Sequence, residues 1–234
     1  MRQAEKVDLG SDDWTMEIRP YASAFHFPIK ELWEYRDLLF LFVRRDFKTM
    51  YKQTILGPAW ILLSPLLTTG MFSLIFGRIA GISTDGTPTF LFYMAGNILW
   101  NYFSSCLSAA SSTFIGNAGL FGKVYFPRIV VPASSAVSKL ITFGAQFLLF
   151  LILLFCSLGS GQVRITWLCL MTPVLLVMLA LLAIGTGMIL ASLTAKYRDL
   201  QVLVGFGVQL WMYASPIVYP LSQIPGKWRI LLSL

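Results

Sequence analysis

Between Lys139 and Arg164 the chain reads LITFGAQFLLFLILLFCSLGSGQV, 24 residues without a charge. As a helix rising about 1.5 Å per residue, such a run crosses the roughly 30 Å of hydrocarbon in a bilayer, for which about 20 residues suffice. Four further gaps between charges are as long: 25 residues between Lys52 and Arg78, 37 between Asp85 and Lys123, 31 between Arg164 and Lys196, and 27 between Asp199 and Lys227. Hydrophobic residues fill 56% and charged ones 12% of the 234 positions, with a mean hydropathy of +0.70, which excludes a water-soluble domain. The runs are continuous rather than alternating, so a β-barrel is disfavoured and the backbone must satisfy itself within helices. The spacing predicts an all-α membrane protein, a polytopic transmembrane helix bundle with spans near 55–77, 89–114, 130–158, 167–194 and 200–219.

Residues 1–28 form a polar tail with Asp8, Asp12, Asp13 and Glu17, so no cleavable signal peptide is expected. Over 29–52, apolar Ile29, Leu32, Trp33, Phe40, Val43, Phe47 and Met50 recur at steps of three, four or seven opposite a charged face, which predicts an amphipathic helix on the inner membrane surface. It serves as an interfacial anchor or as a gate; patterning does not separate the two. With the N-terminus cytoplasmic, ten Lys and Arg adjoin the spans inside (Lys30, Arg36, Arg44, Arg45, Lys48, Lys52, Lys123, Arg128, Lys196, Arg198) against four outside (Arg78, Arg164, Lys227, Arg229), as the positive-inside rule requires. Lys139 falls within the third span, where it snorkels or faces the bundle interior.

The transmembrane part, 53–234, is interrupted by a short hairpin at 115–128 on the cytoplasmic side. Its Leu120, Phe121, Tyr125 and Phe126 read as apolar side chains offered to the cytosol, hence a docking surface rather than a mere connector. Ser215-Pro216 and Pro220 end the fifth span, and 216–234 suits short helices at the outer face. Five spans from an inner N-terminus leave the C-terminus outside, so a sixth span is expected in the complete protein. Cys106, Cys156 and Cys169 read as packing residues, with no metal site or disulfide indicated.

Four stretches carry a resemblance. Residues 45–60 read Arg-Asp-Phe-Lys-Thr-Met-Tyr-Lys-Gln-Thr-Ile-Leu-Gly-Pro-Ala-Trp; Phe126-Pro127-Arg128 follows the hairpin; Tyr197-Arg198-Asp199-Leu200 joins the fourth and fifth spans; Ser215-Pro216 through Trp228-Arg229 lies outside. In this order they resemble the type-2 ABC exporter permeases of polysaccharide export, most of all the O-antigen exporter membrane subunits of the Wzm type. Met50 stands where that family commonly has a basic residue, and the chain stops where an Asn-Pro motif and a final span are expected.

The resemblance implies a transport subunit, not an enzyme. It implies a homodimer in a bacterial inner membrane that works with two copies of a separate ABC ATPase and moves a lipid-linked polysaccharide of O-antigen type through a channel at the dimer interface. ATP and magnesium would be bound by that partner, in agreement with the lack of any G-x-x-x-x-G-K-[ST] loop in this sequence, and the chain itself calls for no cofactor and no nucleic acid. The coupling element would be Gly119, Leu120, Phe121, Lys123 and Tyr125.

Rings pack against sugar faces while their polar edges bond hydroxyls. On that ground Tyr93, Asn97, Trp100, Asn101, Tyr102, Gln209, Trp211 and Tyr213, with Trp60 and Phe72, are the candidate channel residues. Arg44, Arg45, Lys48 and Lys52 are candidates for a lipid-pyrophosphate entrance, although obedience to the positive-inside rule alone would also place them there. Teichoic acid or capsule export, or small-molecule efflux by the same architecture, stays open. A lipid-linked sugar transferase or a proton-coupled carrier would need paired or intramembrane carboxylates, which the spans lack.

Overall fold

Uncharged runs become helices wherever proline and polar residues punctuate them. The computed structural model describes residues 33–51, 56–159, 170–220 and 222. Helix α1 spans Arg36–Tyr51. After a 3-10 turn at Gly57–Ala59, which admits Pro58 because the first N–H groups of a helix need no internal partner, α2 runs Trp60–Phe72 and widens into a π-helical stretch at Ser73–Ile79. Helix α3 is Thr89–Ser111, followed by two short turns of helix, α4 (Thr113–Gly116) and α5 (Ala118–Phe121). Helix α6 is Val130–Leu158, α7 Thr172–Lys196 and α8 Leu200–Ala214. Among the described residues there is no strand. The protein is an all-α polytopic membrane protein.

The Gly57–Ile79 unit, α6 and α7 are each long and apolar enough to cross a membrane. Helix α3, at 23 residues, has the length but interrupts its apolar run with Tyr93, Asn97, Asn101 and Tyr102. It is nevertheless the centre. Met94, Ile98, Phe103 and Leu107 are buried on it, and α2, α6, α7 and α8 all pack against it.

Two polar contacts fix neighbouring helices. Thr194 on α7 donates its hydroxyl to the Ser111 carbonyl at 2.8 Å. Pro65, buried inside α2, has no N–H to give the Ile61 carbonyl four residues back, and the Gln146 amide of α6 donates to that oxygen instead at 3.2 Å. At the far end, the loop after α2 turns through Gly81 and Gly86, both at positive φ, and the Ser222 hydroxyl donates to the Asp85 carboxylate at 2.8 Å.

Helix α1 lies against α6 and differs from the single-faced helix expected. Its buried side chains are Phe42 and Val43, with Tyr35, Leu38 and Leu39 half-buried beside them, whereas Trp33 and Phe40 are exposed. Both faces are apolar because one meets protein and the other is left on the surface. Residues 29–32 and 52–55 lie outside the described residues, as does most of 216–234 past Pro220.

Candidate functional site

The candidate channel residues separate into an enclosed and an exposed set. On α3, Tyr93 is 0% and Asn97 1% exposed, and Tyr102 is also buried. Within the single chain Tyr93 and Asn97 are enclosed by their neighbours, while Tyr102, equally buried, borders a cavity between helices. A membrane helix presents its polar side to whatever is not lipid, and here that is first of all its neighbours within the bundle. Phe72, half-buried at the end of α2, sets its ring edge-on to Tyr93 at 6.3 Å and to Phe76 at 5.5 Å. The Tyr93 hydroxyl and the Asn97 amide nitrogen find no hydrogen-bond partner among the described residues.

The exposed set sits on α8 and at the start of α2. Trp211 is 46% exposed and rests on Phe103 (5.5 Å, perpendicular) and Trp100 (6.4 Å), so the three rings make one platform across α3 and α8. Gln209 and Tyr213 are exposed on the same helix, and Trp60 is 47% exposed at the first turn of α2.

Trp60, Asn101 and Tyr102 meet at a cavity of about 300 Å³ between α2, α3 and α6, together with Ser105, Lys139 and Gln146. Lys139 and Gln146 were not among the candidates, although a lysine within an apolar span was the signal that could have found them. Helix α6 has 29 residues, about 43 Å of helix, and Lys139 stands nine residues, roughly 13 Å, from its start. On insertion scales a lysine deep in a span costs about 3 kcal/mol. The ammonium meets that cost by facing a cavity with polar walls.

The α1 end is closed by aromatic packing. Phe126 is 5% exposed and packs on Phe42 at 5.8 Å; Phe121 stacks on Phe126 at 5.4 Å and meets Phe114 at 5.9 Å. The Arg128 guanidinium lies over Phe114 at 5.8 Å. Phe126 is therefore not offered to solvent as the sequence suggested, and Leu120 and Phe121 are half-buried against the same cluster; burying these rings on the inner face of α1 removes more apolar surface than the hairpin could alone. Gly119, Lys123, Val124 and Tyr125 are exposed.

Of the basic candidates, Arg45 binds the Asp46 carboxylate through two nitrogens, at 2.8 and 3.0 Å, with its guanidinium over Phe42 at 4.8 Å. Arg44 and Lys48 are exposed, and Lys52 lies outside the described residues. Among the described residues no three His, Cys, Asp or Glu side chains gather to hold a metal.

Comparison with known proteins bears on what these surfaces do. Residues 37–234 match the family model described as ABC-2 type transporter. The chain is 32% identical over 199 residues to the O-antigen export system permease protein RfbA of Myxococcus xanthus, covering 85% of this chain and 74% of that one. Two proteins of the same name from Klebsiella pneumoniae are 27% and 28% identical, each over 84% of this chain and 74% of the relative.

Proposed function

The chain belongs to the ABC-2 type transporter family, and from that premise we propose that it is the membrane permease subunit of an ATP-driven exporter of a lipid-linked polysaccharide of O-antigen type. One observation carries the reading: similarity to O-antigen export permeases runs over 85% of the chain rather than over one motif. Two copies would face each other in a bacterial inner membrane, N-termini in the cytoplasm, and each would engage a separate ATPase that binds ATP and magnesium.

Within this reading the exposed Trp60, Gln209, Trp211 and Tyr213 are the residues of this chain able to meet a sugar polymer. Flat rings and a terminal amide give weak, repeated contacts over which a polymer slides. The Trp100, Phe103 and Trp211 platform holds one such ring rigidly. Arg44, Lys48 and Lys52 would draw the pyrophosphate end of the substrate toward the membrane. Gly119, Lys123 and Tyr125 would touch the ATPase, while Leu120 and Phe121 hold the hairpin in place from behind.

The test is export itself. In a host whose own gene is deleted, this chain expressed with its partner ATPase should restore surface polysaccharide, seen by gel and by antibody on intact cells. Trp211→Ala should reduce surface polymer at unchanged protein level, and Tyr125→Asp should leave the permease inserted but unable to co-purify with the ATPase. Surface polymer that appears without any nucleotide-hydrolysing partner would defeat the reading.

A further inference from the structure

Lys139 is the one charged side chain standing more than a turn from the end of any described span. It opens onto the cavity between α2, α3 and α6, whose other polar walls include Asn101, Ser105, Thr142 and Gln146 and no carboxylate. Gln146 is already engaged with the Ile61 carbonyl. The Lys139 ammonium, the Asn101 amide and the Ser105 and Thr142 hydroxyls make no side-chain hydrogen bond to the protein among the described residues. Asp46, on the inner face of α1, is bound to Arg45 at 2.8 Å, and among the described residues no carboxylate forms an ion pair with Lys139.

We propose that this cavity is a binding site for a phosphate group, with Lys139 supplying the charge and Asn101, Ser105 and Thr142 supplying neutral donors. The chemistry follows from the donor set. A cation among hydroxyl and amide donors, without an acid to compete, suits an anion that has several acceptor oxygens. The positive end of the Gly57–Ile79 unit adds to the field, since Gly57 and Trp60 of its first turns also border the space. A volume of about 300 Å³ holds roughly ten groups of water size, room for a phosphate and the first atoms of what it is attached to. Half-exposed Trp60 stands at the margin. The site is a property of one chain and stands whether or not the protein exports a polymer.

The purified full chain in detergent serves for the test, with three probes: dioctanoyl phosphatidic acid, dioctanoyl glycerol as the same lipid without phosphate, and inorganic phosphate against chloride at equal ionic strength. Thermal unfolding and native mass spectrometry read binding. Phosphatidic acid should raise Tm and give a bound adduct where dioctanoyl glycerol does not. Lys139→Gln should weaken the adduct by at least about tenfold while Lys139→Arg keeps most of it, because charge rather than shape is the first requirement. An effect from phosphatidic acid alone assigns a lipid headgroup; an equal effect from inorganic phosphate assigns the free anion. Should Lys139→Gln fail to fold, the Asn101→Leu, Ser105→Ala double variant, which keeps the lysine, must also lose affinity. No phosphate-dependent effect from either probe, or an undiminished one in the folded variants, overturns the proposal.

Discussion

Helices α3 and α7 have 23 and 25 residues, and neither carries a charge before its last turn. Their surroundings are opposite. Helix α7 is the most apolar span, yet its buried residues are only Ala183, Gly187, Ala191 and Thr194. Helix α3 carries Tyr93, Asn97, Asn101, Tyr102 and four serines, and eleven of its residues are buried. Lipid is as apolar as leucine, so nothing drives the leucines of α7 inward; contact is won by small residues that let backbones approach and by hydrogen bonds. The helix that looks least like a membrane span is therefore the one the others surround.

The seam between the two is the place to break this contrast. Gly187 faces Ala110 and the Leu107 carbonyl so closely that a Cβ there would collide with the Ala110 methyl. Gly187→Leu should separate α7 from α3 at about 3 kcal/mol or more, read as a large fall in Tm or in the detergent-extracted folded fraction. Gly187→Ala should cost less, and Ala110→Gly in the same chain should recover part of it.

Next in size is Gln146→Leu, which strands the Ile61 carbonyl and should cost about 1–3 kcal/mol. Adding Pro65→Ala returns a backbone N–H to that oxygen, and the double variant should regain most of the loss. A Gln146→Leu protein as stable as the parent would show that the amide is incidental.

Thr194→Val removes the hydroxyl that reaches Ser111 and should cost about 0.6 kcal/mol and no more than about 1.7, the mean and the upper limit for such bonds between membrane helices. The smallest effect belongs to the outer side of α7. Leu181 is exposed there, and Leu181→Ala should change stability by less than about 0.5 kcal/mol. A large loss at Leu181 would mean that this side meets protein, and would mark it as an interface.

The spans were legible because charge is scarce: the third was expected at 130–158 and α6 is Val130–Leu158. Which helix is central was not legible, since hydropathy measures the preference for lipid and says nothing of neighbours within the bundle. Tyr93 and Asn97 illustrate this, for their polarity marks a buried seam as readily as a wet passage. Trp211 and Gln209 stood out in the sequence only as candidate channel residues, and their exposure on α8 came from the fold; the burial of Phe126 was not legible, because its partner Phe42 lies more than eighty residues away. Lys139 was visible in the sequence as an oddity, but the groups around it come from three helices and only the fold brings them together.

Pro65 divides α2 into two lengths that belong to different neighbours. The length before it is tied to α6 through Gln146, whereas Phe72 and Phe76 beyond it lean on Tyr93 of α3. If α6 ever slides along α3, the two lengths must follow different partners, and Pro65, where the backbone ladder is already interrupted, is where the helix has to give. Labels on either side of Pro65 should then change their separation before any other pair along that helix.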